Sequence, residues 1–92
     1  MTKDELFHKN LWLGHEFDLY VLEHPEILDE IPDHAKIVLL PEDEPELAKA
    51  NLGIAKETQE PGQPMVLVRI RKLRPITSRI TELEIKIAEA QV

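Results

Sequence analysis

Apolar and polar positions alternate along the chain in two different rhythms. In residues 2–23, Leu6, Asn10, Leu13, Phe17 and Tyr20 recur at steps of three and four, and Phe7, Leu11 and Val21 widen the same face. That is the period of an amphipathic helix. Thr2 followed by Glu5 makes a capping box, and Asp4 and Glu5 place negative charge in the first turn, where the helix dipole favours it. Gly14 costs about 1 kcal/mol against Ala in a helix interior, a cost that close approach of another backbone would explain. Pro25 closes the helix after His24 and suits the first position of a short helical turn, from which Ile27, Leu28 and Ile31 are expected to tuck under the core.

The second rhythm is that of strands. Ile37, Val38, Leu39 and Leu40 form an unbroken apolar run within residues 36–40, which predicts a strand covered on both faces. Pro41 ends it. Asp43 with Glu46 reads as a second capping box, with Pro45 in the permissive first turn of a helix over 44–59. Leu47, Asn51, Ile54 and Thr58 line one edge of that helix, and Ala48, Leu52 and Ala55 the next. Glu60-Pro61-Gly62-Gln63-Pro64 is a strong break. A second strand follows over 65–73, apolar at first and then alternating, with Val68 and Ile70 inward and Arg69 and Arg71 outward. The last segment reads two ways. Leu83, Ile85 and Ile87 alternate with Glu82, Glu84 and Lys86 as in a strand, whereas Ile80, Leu83 and Ile87 also fit a helix. The β-branched residues favour a strand or extended tail over 79–87.

These elements predict a small single α/β domain in the order helix, strand, helix, strand, tail. The two core strands are parallel, joined by a right-handed crossover through the second helix, with the first helix on the sheet. A sheet of two or three strands leaves open edges that need cover. Dimerisation through a sheet edge or through the first helix, with Phe7, Leu11 and Trp12 as interface residues, would supply it.

Composition narrows the functional classes. The 92 residues suffice for one domain, and they include no cysteine, which excludes a disulfide scaffold, a thiolate metal site and a cysteine nucleophile. The charged start carries no signal-type apolar stretch, and no apolar run approaches the roughly 20 residues that span a bilayer, so a cytoplasmic protein without membrane contact is expected. Residues 1–60 carry 15 acidic and 5 basic side chains, whereas residues 61–92 carry 3 and 6. The chain as a whole is at −7, which disfavours nucleic acid as a partner. The local cluster Arg69, Arg71, Lys72, Arg74 and Arg79 keeps phosphate contact through 69–79 as an alternative.

The turn after the first strand is where open α/β folds usually hold ligands. Here it reads Leu40-Pro41-Glu42-Asp43-Glu44-Pro45. It has no glycine to let backbone amides approach a phosphate, and three carboxylates stand at the positive end of the helix dipole. Neither glycine fingerprint of nucleotide binding is present, and no cofactor is implied. The carboxylates would suit Mg²⁺, yet an acidic helix start explains them without a metal. Parallel strands end on the same edge, which carries Glu42, Asp43 and Glu44 toward Arg71, Lys72 and Arg74. Those six residues form either a salt-bridge cluster or a small pocket for an anionic ligand. His8 and His15 share a helix side but lack the three- or four-residue spacing of a helical zinc site, and the other polar residues of that side make it a solvated flank. No catalytic set of nucleophile, base and orienting acid is recognisable.

The stretches Met1 to Phe7, Ile31 to Leu47 and Val68 to Leu73 resemble a family of short prokaryotic proteins classed only as a domain of unknown function, most specifically at Leu39-Leu40-Pro41-Glu42-Asp43-Glu44-Pro45-Glu46-Leu47. The resemblance covers about residues 1–80 and implies a free-standing cytoplasmic protein with no established activity, cofactor or catalytic residue. Size, charge and the lack of recognisable chemistry together lead to the expectation of a non-enzymatic, dimeric protein-interaction or regulatory module. The alternative is small anionic-ligand binding at the strand ends.

Overall fold

Two parallel strands and the helix that links them form the centre of the molecule. The computed structural model describes residues 1–88, in the order α1 (Lys3–Glu23), a 3-10 turn (Pro25–Glu30), β1 (Lys36–Pro41), α2 (Pro45–Thr58) and β2 (Met65–Ile70). β1 and β2 form a two-stranded parallel sheet, in register from Lys36 beside Met65 to Pro41 beside Ile70. Lys36 N donates to Pro64 O at 2.8 Å at one end of this ladder, and Glu42 N donates to Ile70 O at 2.9 Å at the other. The fold is the small single α/β domain that the periodicity predicts.

Local chemistry sets the element ends. Thr2 Oγ1 accepts from Glu5 N at 3.1 Å and donates to the Glu5 carboxylate, which starts α1. α2 starts one residue later than expected. Its N-cap is Glu44, and no side chain caps it, so Asp43 does not play that role. Pro45 at the first position has no N–H to satisfy, and Glu44 N turns back to Pro41 O, which lowers the need for a side-chain cap. The break after α2 is a turn in which Gln63 N reaches Glu60 O, with Pro61 and then Gly62 at φ 76° between them. That positive φ is the conformation a type II turn requires at its third residue, and glycine adopts it without strain.

The buried core is small: Leu13 from α1, Val38 and Pro41 from β1, Leu47 and Ala55 from α2. The expectation that β1 is covered on both faces fails at Ile37, which is 41% exposed, because two strands and the flanking helices do not close over that end. Leu28, expected under the core, is exposed, while Ile27 and Ile31 are half-buried. Gly14 has no neighbour within 4 Å of where a side chain would begin, so close backbone packing does not account for it. α1 meets α2 through a polar contact, the amides of Asn10 and Asn51, and through an ion pair between Lys9 and Glu44.

β2 stops at Ile70 rather than running to residue 73, because its partner strand turns away into α2 after Pro41. From Arg71 to Ala88 the chain has neither helix nor ladder, and every residue is exposed. The segment 79–87 is therefore not helical, and the strand its alternation predicts has no partner to pair with among the described residues. No helix among the described residues is long and apolar enough to cross a membrane.

Candidate functional site

The bond from Glu42 N to Ile70 O sets the acidic turn and the basic end of β2 side by side. This follows from the parallel register alone, since both strands end on one edge of the sheet. Glu42 and Asp43 are exposed there. Glu44 is half-buried, and its carboxylate is taken by Lys9 of α1. That hydrogen bond, with Glu5 and Glu46 also nearby, holds the Lys9 ammonium above its ordinary value.

Among the described residues no ion pair joins Glu42, Asp43 or Glu44 to Arg71, Lys72 or Arg74. Glu44 and Arg74 do line one recess, of about 260 Å³, walled by Lys9, Trp12, Leu47 and Ile76 among others. Arg71 and Lys72 line a different recess, of about 400 Å³, together with Arg69 and with Glu16, Phe17 and Tyr20 of α1. Four of the six residues thus divide between two basins, Glu44 and Arg74 in a mixed-charge one at the start of α2 and Arg71 and Lys72 in a basic one along the end of β2, while Glu42 and Asp43 line neither. What these basins offer is charge, hydrogen-bond donors and aromatic wall. Among the described residues no three His, Asp or Glu side chains gather into a metal-holding group. His8 Nδ1 donates to Asp4 O at 2.8 Å, within its own helix.

The second feature of the site is the outer surface of α1. Phe7, Leu11 and Trp12 are 63%, 59% and 59% exposed, and Leu19, Tyr20 and Leu22 are exposed with them. Of all the large apolar side chains on this helix only Leu13 is buried. An amphipathic helix normally turns its apolar stripe to the core and its charges outward; here the apolar positions run well past the contact that α2 and the sheet provide. The Asn10–Asn51 pair is the part of the site that periodicity alone does not reveal. Its signal is an asparagine within the apolar stripe of each of two helices, which implies a buried polar partner for each.

No curated protein and no solved structure matches the chain. A family model matches residues 5–83, from the first turn of α1 through both strands and well into the extended tail. On that match the chain belongs to DUF5647, a family of unknown function.

Proposed function

We propose that the chain is a non-enzymatic protein-interaction module of the cytoplasm that works as a homodimer. The observation that carries this reading is the exposure of Phe7, Leu11 and Trp12 together on one helix. A monomer gains nothing from presenting two aromatic rings and a leucine to water, and exposed aromatic and aliphatic side chains gathered on one helix are what a protein partner covers. The open sheet and the 41% exposure of Ile37 in an otherwise apolar strand point the same way. Trp12 is the sole tryptophan, so its fluorescence reports on this surface directly. On dilution through the dissociation range the emission moves to longer wavelength as Trp12 becomes wet. Emission already at the fully solvated wavelength, and independent of concentration, would reject the reading.

A second reading is supported by the basic basin. Arg69, Arg71 and Lys72 line it, and none of the three has a carboxylate within ion-pair distance among the described residues. Small dianions suit such a place, since guanidinium groups bind them through paired hydrogen bonds. Inorganic phosphate titrated against the amide spectrum tests it. Saturable shifts at Arg69, Arg71 and Lys72 support the reading, and shifts spread evenly over the basic surface, or none, reject it.

A further inference from the structure

We infer that residues 80–87 of one chain add to the free edge of β2 in a second copy, as an antiparallel third strand, and that the exchange is reciprocal. The inference rests on the homodimer reading above and gives it a second, specific contact.

The two edges of the sheet are not equivalent. In a parallel ladder each residue points both its N–H and its C=O to the same side. Lys36 N and Glu42 N donate to β2, so the even-numbered residues of β1 face β2, and Ile37, Leu39 and Pro41 face outward. That outward edge is blunted. Leu39 O accepts from Asn51 Nδ2 at 2.9 Å, Pro41 has no N–H, and Pro41 O accepts from Glu44 N at 3.3 Å. On β2 the same alternation turns Met65, Leu67 and Arg69 outward. None of these is proline, and no hydrogen bond to their backbone groups from the rest of the described chain replaces the missing ladder. A strand edge of this kind is a template for another chain.

The tail has the pattern that edge requires. Leu83, Ile85 and Ile87 are 73%, 82% and 92% exposed, an alternation that no single chain satisfies by leaving it in water. Antiparallel pairing with Arg69 opposite Glu84 sets Val66 against Ile87, Val68 against Ile85 and Ile70 against Leu83, and puts Arg71 opposite Glu82. Sliding the tail by two residues in one direction brings Arg69 onto Lys86. Sliding it in the other sets Arg71 against Ile80. Only the one register places both arginines opposite glutamates while setting Val66, Val68 and Ile70 against apolar partners, the pairings that stabilise adjacent strands, with Leu67 opposite the stem of Lys86.

A second copy is the occupant rather than the chain's own tail. Leu73, Arg74 and Ile76 lie against α1 and the start of α2, lining the recess with Trp12 and Glu44, so the chain leaves β2 away from its own free edge. Returning to it in this register would need residues 72–81 to form a ten-residue loop, whereas antiparallel neighbours are usually joined by about 2–5 residues.

The absence of cysteine makes the test clean. Full-length Arg69→Cys and full-length Glu84→Cys are mixed and oxidised mildly, beside a chain carrying both changes. Leu67→Cys with Lys86→Cys, the neighbouring pair in the same register, repeats the test should the first pair perturb folding. The exchange predicts a disulfide-linked species of twice the chain mass joining Arg69→Cys to Glu84→Cys, in excess of either self-linked form. A doubly substituted chain that closes on itself at monomer mass overturns it, and so does the absence of the mixed species for both pairs. Light scattering on the unmodified protein separates the two readings: dimer mass without the mixed disulfide removes the strand exchange and leaves the homodimer, whereas monomer mass removes both.

Discussion

Asn10 and Asn51 exchange hydrogen bonds between α1 and α2: Asn10 Nδ2 donates to Asn51 Oδ1 at 2.8 Å, and Asn51 Nδ2 donates to Asn10 Oδ1 at 2.9 Å. Asn51 Nδ2 also reaches Leu39 O at 2.9 Å. A carbonyl can only accept, so Leu39 fixes which end of the Asn51 amide is the nitrogen, and that in turn fixes the Asn10 amide. One side chain thereby sets the register of α1 on α2 and caps the edge of β1.

The two asparagines are therefore unequal. Asn51→Ala removes three bonds and leaves the Leu39 carbonyl without a protein partner; at roughly 1 kcal/mol net for each bond it costs about 3 kcal/mol. Asn10→Ala removes two bonds and leaves Asn51 its bond to Leu39, for about 1–2 kcal/mol. The double variant costs less than the sum of the two, because the shared bonds are lost only once. Urea denaturation of the four proteins measures this, and strict additivity would show that the amides act independently.

This pair also marks the boundary between what the residue pattern contains and what it omits. The strand–helix–strand unit is legible because each part has its own period and its own terminator: Pro41, the Pro61-Gly62 turn, and the capping pair Thr2 and Glu5. The shared edge of Glu42 and Ile70 follows from parallel pairing by geometry. Which charges meet on that edge does not, because Glu44 is claimed by Lys9, 35 residues earlier on another element. Helix periodicity places Lys9 on the polar side of α1 without naming its partner. The fate of residues 79–87 is illegible for a related reason: alternation announces a strand, and the identity of the edge it joins lies outside the local pattern.

The Lys9–Glu44 contact carries a pH dependence of known sign. Lys9 is raised above its ordinary value of 10.5 by Glu44 first, with Glu5 and Glu46 adding to it. A raised folded-state value means the charged form is favoured by folding, so the contribution is complete below the unfolded value of 10.5 and fades as the pH climbs through the raised one. Both partners are partly exposed, so the effect is small and falls with salt. Thermal unfolding of the protein and of Lys9→Met at pH 8 and above pH 11 reads it. The two melting temperatures converge at the higher pH, and an unchanged gap would assign the difference to packing of the lysine stem.

Leu47 is the larger of the two fully buried side chains, the other being Pro41, and is 1% exposed in the first turns of α2 beneath the contact with α1. With so few buried residues the core has no reserve. Leu47→Ala removes the buried methyl groups and leaves a cavity, at about 2–5 kcal/mol, a large share of the roughly 5–15 kcal/mol available to a domain. Denaturant titration at 25 °C is expected to show stability lowered by that amount, with the loss of cooperativity typical of a marginal fold. A loss below about 1 kcal/mol would place Leu47 in a surface environment instead.

The helix glycines offer the opposite outcome. Gly14 lies inside α1 and Gly53 inside α2, both with helical neighbours on either side and, beyond their adjoining residues and their own helix backbone, nothing within 4 Å of where a methyl group would sit. Neither carries a positive φ, so alanine adopts the same backbone without strain. Alanine narrows the unfolded ensemble and meets nothing in the folded state, which gives about 0.5–1 kcal/mol of stability for each change. The sites lie on different helices with no shared partner, so the double variant is expected to gain the sum. Scanning calorimetry checks it by a rise of several degrees in Tm, roughly 4–8 °C for each kcal/mol in a domain of this size. A fall at Gly14 alone carries a different meaning. Gly14 is half-buried on the helix that bears Phe7, Leu11 and Trp12, and a methyl group there would then be meeting a second copy that the isolated chain does not contain.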